Sequence, residues 1–280
     1  MKKIYCWTIL FCLISNSVLG QKMDFLPEQN LWETQILDPL ASQGYGQMAI
    51  AYNSGAQADY YIAGFAFGFQ RSIFAWPKGE NRSFDLGFEG AAFTQFEWTD
   101  RTGEFQRNIV STDFLIGMPL TWKRNNWLLR LRVYHLSAHM GDDYIIRNNI
   151  TGYYRNNNNY EQLDFTAVFH IKKWSFGMGA GSILRASQPR KPFVLTATTD
   201  FVTAVNKAET ISFFLGFYAD TRQDYDFRPA VNIGSGFIFG KAERHPFEIL
   251  LTYFNGPLPY SVYAGRAISW IGMGFYIQPF

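Results

Sequence analysis

The feature that most constrains this chain is a two-residue alternation held over unusually long runs. In Trp127-Leu-Leu-Arg-Leu-Arg-Val-Tyr-His-Leu-Ser-Ala-His139, one parity carries Trp127, Leu129, Leu131 and Val133, and the other carries Arg130 and Arg132. Successive side chains of a strand point to opposite faces, so such a pattern dictates β structure with one apolar and one polar face. It recurs as Tyr61, Ala63, Phe65, Phe67 and Phe69 with Gly64 and Gly68 between them, and as Phe84, Leu86 and Phe88 against Asp85, Gly87 and Glu89. Val110, Phe114, Ile116, Met118, Leu120 and Trp122 oppose Ser111, Asp113 and Gly117; Leu163, Phe165, Ala167, Phe169 and Ile171 oppose Asp164, Thr166 and His170. Val231, Ile233, Phe237 and Phe239 oppose Asn232, Gly234 and Gly236. The runs are about 11 to 15 residues long, the length a tilted strand needs to cross a bilayer and more than most soluble strands reach.

No apolar run approaches the roughly 18 residues of a helical span. A mean hydropathy of −0.12 with 18% aromatic residues suits strands that are greasy on one face only. Twelve candidate strands can be counted, near 43–53, 58–70, 83–98, 108–122, 126–139, 161–173, 175–187, 193–205, 210–222, 227–240, 246–256 and 268–280. Their connections alternate. Lys123–Asn126, Lys172–Lys173, Asn206–Glu209 and Lys241–His245 are short, whereas Asp142–Tyr160, Gln188–Pro192, Thr221–Asp226 and Gly256–Ala267 are mostly longer. Short turns at one end and longer loops at the other, with an even strand count, are the plan of a bacterial outer-membrane barrel. The sequence therefore predicts an all-β fold: a transmembrane antiparallel up-and-down β-barrel of about twelve strands over 43–280. The segment from Ser72 to Arg82, with Pro77-Lys-Gly79, reads as a turn that is long for the short-turn end. The final Phe280 suits recognition by the barrel assembly machinery, although Pro279 and Gln278 precede it.

Residues 1–20 read as a secretory signal peptide, with Lys2 and Lys3, an apolar Ile4–Ile14 run and small residues up to Gly20. Both cysteines, Cys6 and Cys12, lie inside it, so no disulfide framework is expected after cleavage. Removing Lys2 and Lys3 takes Lys+Arg from 25 to 23, equal to the 23 Asp+Glu, and leaves no basic excess for nucleic acid. Residues 21–42, with Pro27 and Pro39, read as an N-terminal arm that stays in the periplasm or plugs the barrel. The lumen parity carries Asp85, Glu89, Asp113, Arg130, Arg132, Asp164 and Arg228, charges of both signs that can pair and fill a barrel of this size. No single-sign ring marks a selective pore. No Walker loop, dinucleotide fingerprint or zinc-ligand spacing is present, and no cofactor is expected.

Three segments, Phe88–Phe96, Thr112–Thr121 and Arg130–Asp143, resemble the family called domain of unknown function 1207, most densely over 84–146, with an echo at Tyr253-Phe-Asn-Gly256. The resemblance implies an outer-membrane barrel and supplies no activity.

The strand from Trp127 ends on a polar triplet: His135, Ser137 and His139 share parity with the leucines. Eight residues of tilted strand, at about 2.6 Å each, put them roughly 20 Å above Trp127, near the far edge of an apolar band about 25 Å tall. Neighbours two apart on one face can work as base and nucleophile, His135 taking the proton of Ser137. The pair resembles the His-x-Ser of outer-membrane phospholipase A and lipid A deacylase. That resemblance implies an orienting residue about twelve after the serine, which is Asn149, and calcium at Asp142 and Asp143. Ala138 stands where those families carry Asn directly after the serine, which leaves the oxyanion hole without its usual residue. Three readings follow: a barrel with a structural or binding role and a closed lumen, a lipid-facing serine hydrolase acting on phospholipid or lipid A, and a narrow solute channel. The expected partners are outer-membrane lipid, phospholipid or lipopolysaccharide, and the assembly machinery.

Overall fold

The long alternating runs close on themselves. The computed structural model describes residues 23–53, 56–77, 82–100, 105–152, 158–241 and 246–279. The expected signal peptide, His245 and Phe280 lie outside the described residues. A two-residue strand β1 (Asp24–Phe25) is followed by β2 (Gly44–Asn53), β3 (Ala56–Pro77), β4 (Arg82–Asp100), β5 (Phe105–Arg124) and β6 (Trp127–Met140). After a short helix α1 (Asp142–Arg147) come β7 (Tyr160–Ile171), β8 (Trp174–Ala186), β9 (Phe193–Ala204), β10 (Ile211–Arg222), β11 (Pro229–Phe239), β12 (Phe247–Pro257) and β13 (Ala267–Ile277). From β2 to β13 each strand pairs antiparallel with its sequence neighbour, and β13 pairs with β2 through Ile277↔Gly44, so twelve strands form a closed up-and-down barrel. Closure leaves no open edge in the wall.

The parity places the side chains as the sequence predicts. Along β6, Leu128, Arg130, Arg132, Tyr134 and Leu136 are buried in the lumen, while Trp127, Leu131 and Val133 are exposed on the outer face. At the end of the barrel that carries the short turns, outward aromatic rings meet across strands: Trp76 with Phe84 at 5.5 Å, Trp127 with Phe169 at 4.8 Å and Phe239 with Phe247 at 5.0 Å. This is the aromatic girdle of a membrane barrel.

Three expectations need correction, and two share a cause. The segment expected as a long turn from Ser72 is strand as far as Pro77. A bulge between Ser72 and Phe74 shifts the register, so the outward parity passes from Phe69 to Phe74 and Trp76 and the alternation looks broken. A second irregularity, opposite Gln95 and Phe96, leaves Val110 buried rather than outward. Arg228, expected in the lumen, precedes β11 and is exposed at the loop end.

The lumen is filled from both ends. From the turn end, β1 pairs with Phe74 and Ala75 of β3. The chain then dips inside, burying Trp32, Ile36, Leu37, Leu40 and Ala41, and joins the wall at Gly44. Two wall glycines make room. A Cβ on Gly68 would lie 2.6 Å from the Gln43 backbone nitrogen, and one on Gly234 would lie 2.6 Å from Leu37 Cδ2. From the other end, the loop between β12 and β13 folds inward, burying Leu258, Tyr260 and Ser261. The Tyr260 ring stacks on Phe93 at 5.8 Å.

A Gly234→Val substitution drives a branched side chain into Leu37 and is expected to destabilise the barrel by about 1–3 kcal/mol. Urea unfolding followed by the heat-modifiable shift in electrophoretic mobility measures the loss; an unchanged midpoint would show that the arm does not pack against the wall there.

Candidate functional site

The lumen holds more acids than bases. Asp85, Glu89, Asp113, Asp220 and Glu248 are buried there against Arg130, Arg132 and Arg222. Arg132 Nε pairs with Glu89 Oε1, both side chains almost fully buried. The arm completes the pair: Ser42 Oγ donates to Glu89 Oε2 at 3.0 Å, and Arg132 Nη2 donates to the Leu40 carbonyl at 3.1 Å. Arg130 lies over the Trp32 ring at 4.0 Å, Leu31 N donates to Asp85 at 3.0 Å, and Asn232 Nδ2 donates to the Leu37 carbonyl at 2.9 Å. The inward loop does the same for Asp113, whose Oδ2 accepts from Ser261 N at 2.7 Å while Oδ1 accepts from Ser111 Oγ. Arg222 reaches Asp220 and the Tyr160 hydroxyl within the wall. Between the arm and the wall, beside Asp38, Arg130, Arg132 and Asp164, lies a cavity of about 40 Å³. A single water needs about 10–15 Å³, so this cavity holds a few waters.

Across the loop end, Arg190 joins neighbouring loops by reaching Asp224, the Asn158 side chain and the Tyr225 hydroxyl. Lys191 donates to Asp226 and holds that exposed carboxyl below its ordinary range. Burial pushes the Tyr260 phenol up to about 12.

The outward triplet lies where its parity puts it. His135, Ser137 and His139 face out from β6, opposite Ile116, Phe114 and Thr112 of β5. His135 Nδ1 is 3.1 Å from Glu161 Oε1, the residue directly opposite it on β7. The two side chains are 41% and 38% exposed, so the contact lies open on the outer face rather than inside the wall. His139 meets the Phe114 ring at 5.7 Å. Among the described residues no hydrogen bond joins His135 to Ser137. Asn149 lies in the loop after α1, exposed at φ +50°, with its backbone N–H on the Ile146 carbonyl. The group beside the imidazole is therefore Glu161. Sequence reading missed it because it lies 26 residues away and becomes a neighbour only through the β6–β7 register. Asp143 accepts from the backbone N–H groups of Ile109 and Tyr144, and Asp142 is exposed. Calcium takes six to eight oxygens, and no cluster of three or more His, Cys, Asp or Glu side chains able to hold a metal occurs among the described residues.

Fold and lumen together define the class: a β-barrel of the bacterial outer-membrane type. Outer membrane phospholipase from Salmonella typhi, solved as a calcium-bound dimer, superposes with a TM-score of 0.57 at 10% identity over 90% of this chain and 95% of that one. Outer membrane phospholipase A from Escherichia coli gives 0.54 at 10% identity over the same shares. At such identities the likeness is one of fold. No curated protein matches the chain. The chain belongs to the family described as Protein of unknown function (DUF1207), whose model matches residues 12–277, far beyond the stretch in which the resemblance is densest.

Two outcomes test the lumen. Glu89→Ala leaves Arg132 buried without its counter-charge and should cost about 3–5 kcal/mol in urea unfolding, whereas joint Glu89→Leu and Arg132→Met replacement should recover only part of it, because the Ser42 hydroxyl and the Leu40 carbonyl then lose their partners. Tyr260 ionises only above its ordinary value near 10. Its contribution is therefore complete below about pH 10 and is lost as pH rises through about 12. Phenolate absorbance of wild type minus Tyr260→Phe should show the missing transition near 12; a transition near 10 would mean the loop is not seated inside.

Proposed function

We propose that this protein is an integral outer-membrane barrel that does not conduct, exported by a cleaved signal peptide, with a structural or binding role at the membrane. The observation that carries this reading is the double filling of the lumen. Arm and loop supply hydrogen bonds to Asp85, Glu89, Asp113 and Arg132, the groups that a pore would present to water. The short-turn end then faces the periplasm, with the arm, and the loop end faces outward. Lipid of the outer membrane and the barrel assembly machinery are the partners; neither cofactor nor nucleic acid enters. In planar bilayers the refolded protein should show no steady single-channel current, and well-resolved unitary conductance would replace this reading with the narrow channel.

One observation favours a second reading, a serine hydrolase acting on acyl esters of phospholipid or lipid A. His135 contacts Glu161 on the outer face, and Ser137 follows on that same face. In it Ser137 is the nucleophile, His135 the base, and Glu161 rather than Asn149 steadies the imidazole; Asp142 and Asp143 would bear on any calcium dependence. The fold likeness to a phospholipase does not carry this reading; the three side chains do. Free fatty acid is measured from phospholipid and lipid A vesicles, with and without Ca²⁺. Release by wild type that Ser137→Ala abolishes supports hydrolysis; no release, or equal release by the variant, removes it. Asn149→Ala should leave any release within about twofold, a rate change of less than roughly 0.5 kcal/mol.

A further inference from the structure

The outer face is apolar around most of the described barrel, and near the loop end it carries a polar row on β6, β7 and β8. His135 on β6, Glu161 on β7 and Arg185 on β8 are opposite one another in register: His135↔Glu161 and Glu161↔Arg185. Residues paired across strands share a face, with Cβ atoms about 4.5–5.5 Å apart. A register shift on the β8 side of Glu161 and Gln162 makes this possible, because it brings Arg185 rather than Leu184 opposite Glu161. Arg185 is exposed, and Glu161 uses Oε1 on His135, leaving Oε2. The row continues upward as Ser137 and His139, then sideways to Thr112 and Thr94, whose hydroxyls are 3.1 Å apart. Below it lie Leu131, Val133, Leu163 and Phe165, all exposed. A carboxylate held on His135 and an exposed guanidinium thus stand on adjacent strands where apolar surface gives way to polar surface.

We infer that this row is a binding site for the zwitterionic phosphoethanolamine headgroup of a glycerophospholipid, with Arg185 on the phosphate and Glu161 on the ammonium. The charges argue for that headgroup over others. A purely anionic headgroup would meet Glu161 as a repulsive neighbour, and a bis-phosphorylated lipid would need more cations than one arginine provides. A choline headgroup offers no N–H to the carboxylate. The two-carbon link between phosphate and ammonium suits two side chains on adjacent strands, and the apolar residues below receive the acyl chains. The inference does not rest on hydrolysis, because neither charged group acts on an ester.

The full-length protein, refolded into mixed micelles with equal amounts of phosphatidylethanolamine, phosphatidylglycerol, phosphatidylcholine and lipid A, is examined by native mass spectrometry. Phosphatidylethanolamine should be retained about tenfold over each of the others, a difference of roughly 1.4 kcal/mol. Glu161→Gln should abolish the preference over phosphatidylglycerol, and Arg185→Gln should lower retention of both; retention is read on intact lipid, which separates this site from the hydrolase. Heat-modifiable mobility confirms that each variant is folded. Equal retention of all four lipids, preferential retention of phosphatidylglycerol or lipid A, or unaltered selectivity in both charge variants would overturn the inference.

Discussion

The buried pair of Arg132 and Glu89 is the contact on which the rest of the interior depends. Charges inside a closed wall need partners, since desolvation alone costs several kcal/mol per ion. The pair satisfies part of this need and leaves Oε2 of the carboxylate and the two terminal nitrogens of the guanidinium over. The arm meets Oε2 through the Ser42 hydroxyl and Nη2 through the Leu40 carbonyl. Once these are in place, the arm's path is set: Leu37 must lie against Gly216 and Gly234, and Trp32 must meet Arg130. A wall with a side chain at Gly68 or Gly234 has no room for that path.

Much of the wall was legible because its signal is local. Each strand states its two faces residue by residue, and β6 shows it, with arginines in and leucines out. The alternation failed at Ser72–Phe74 and near Val110, where one extra residue inverts parity. A bulge has no composition of its own, so the sequence carries no warning of it. The lumen charges from Asp85 to Asp164 could be read from the same parity, but their partners could not. Asp113 is met by Ser261, 148 residues away, and a backbone N–H has no sequence signature. The same limit applied outside: the His135-x-Ser137 spacing was visible, while Glu161 is a neighbour only through pairing.

The two faces of the barrel solve opposite problems. Inside, polar groups are crowded together and many partner one another, while Arg130 Nε and Glu248 Oε2 meet no hydrogen-bond partner among the described residues and a cavity of about 40 Å³ lies beside the arm. Outside, the polar row at His135, Glu161 and Arg185 interrupts a surface otherwise suited to hydrocarbon. Polar side chains at strand ends are ordinary in membrane barrels; ordered opposite charges in one register are a more specific arrangement.

The arm is fastened at both ends. β1 is hydrogen-bonded to β3, and Gly44 is already part of β2, with the buried residues between. It is thus a loop of the wall folded inward rather than a tail that could be threaded into a finished cylinder. The arm therefore ties the packing of the interior to the closure of the wall, because a pull on it is felt both where β1 meets β3 and where β2 meets β13.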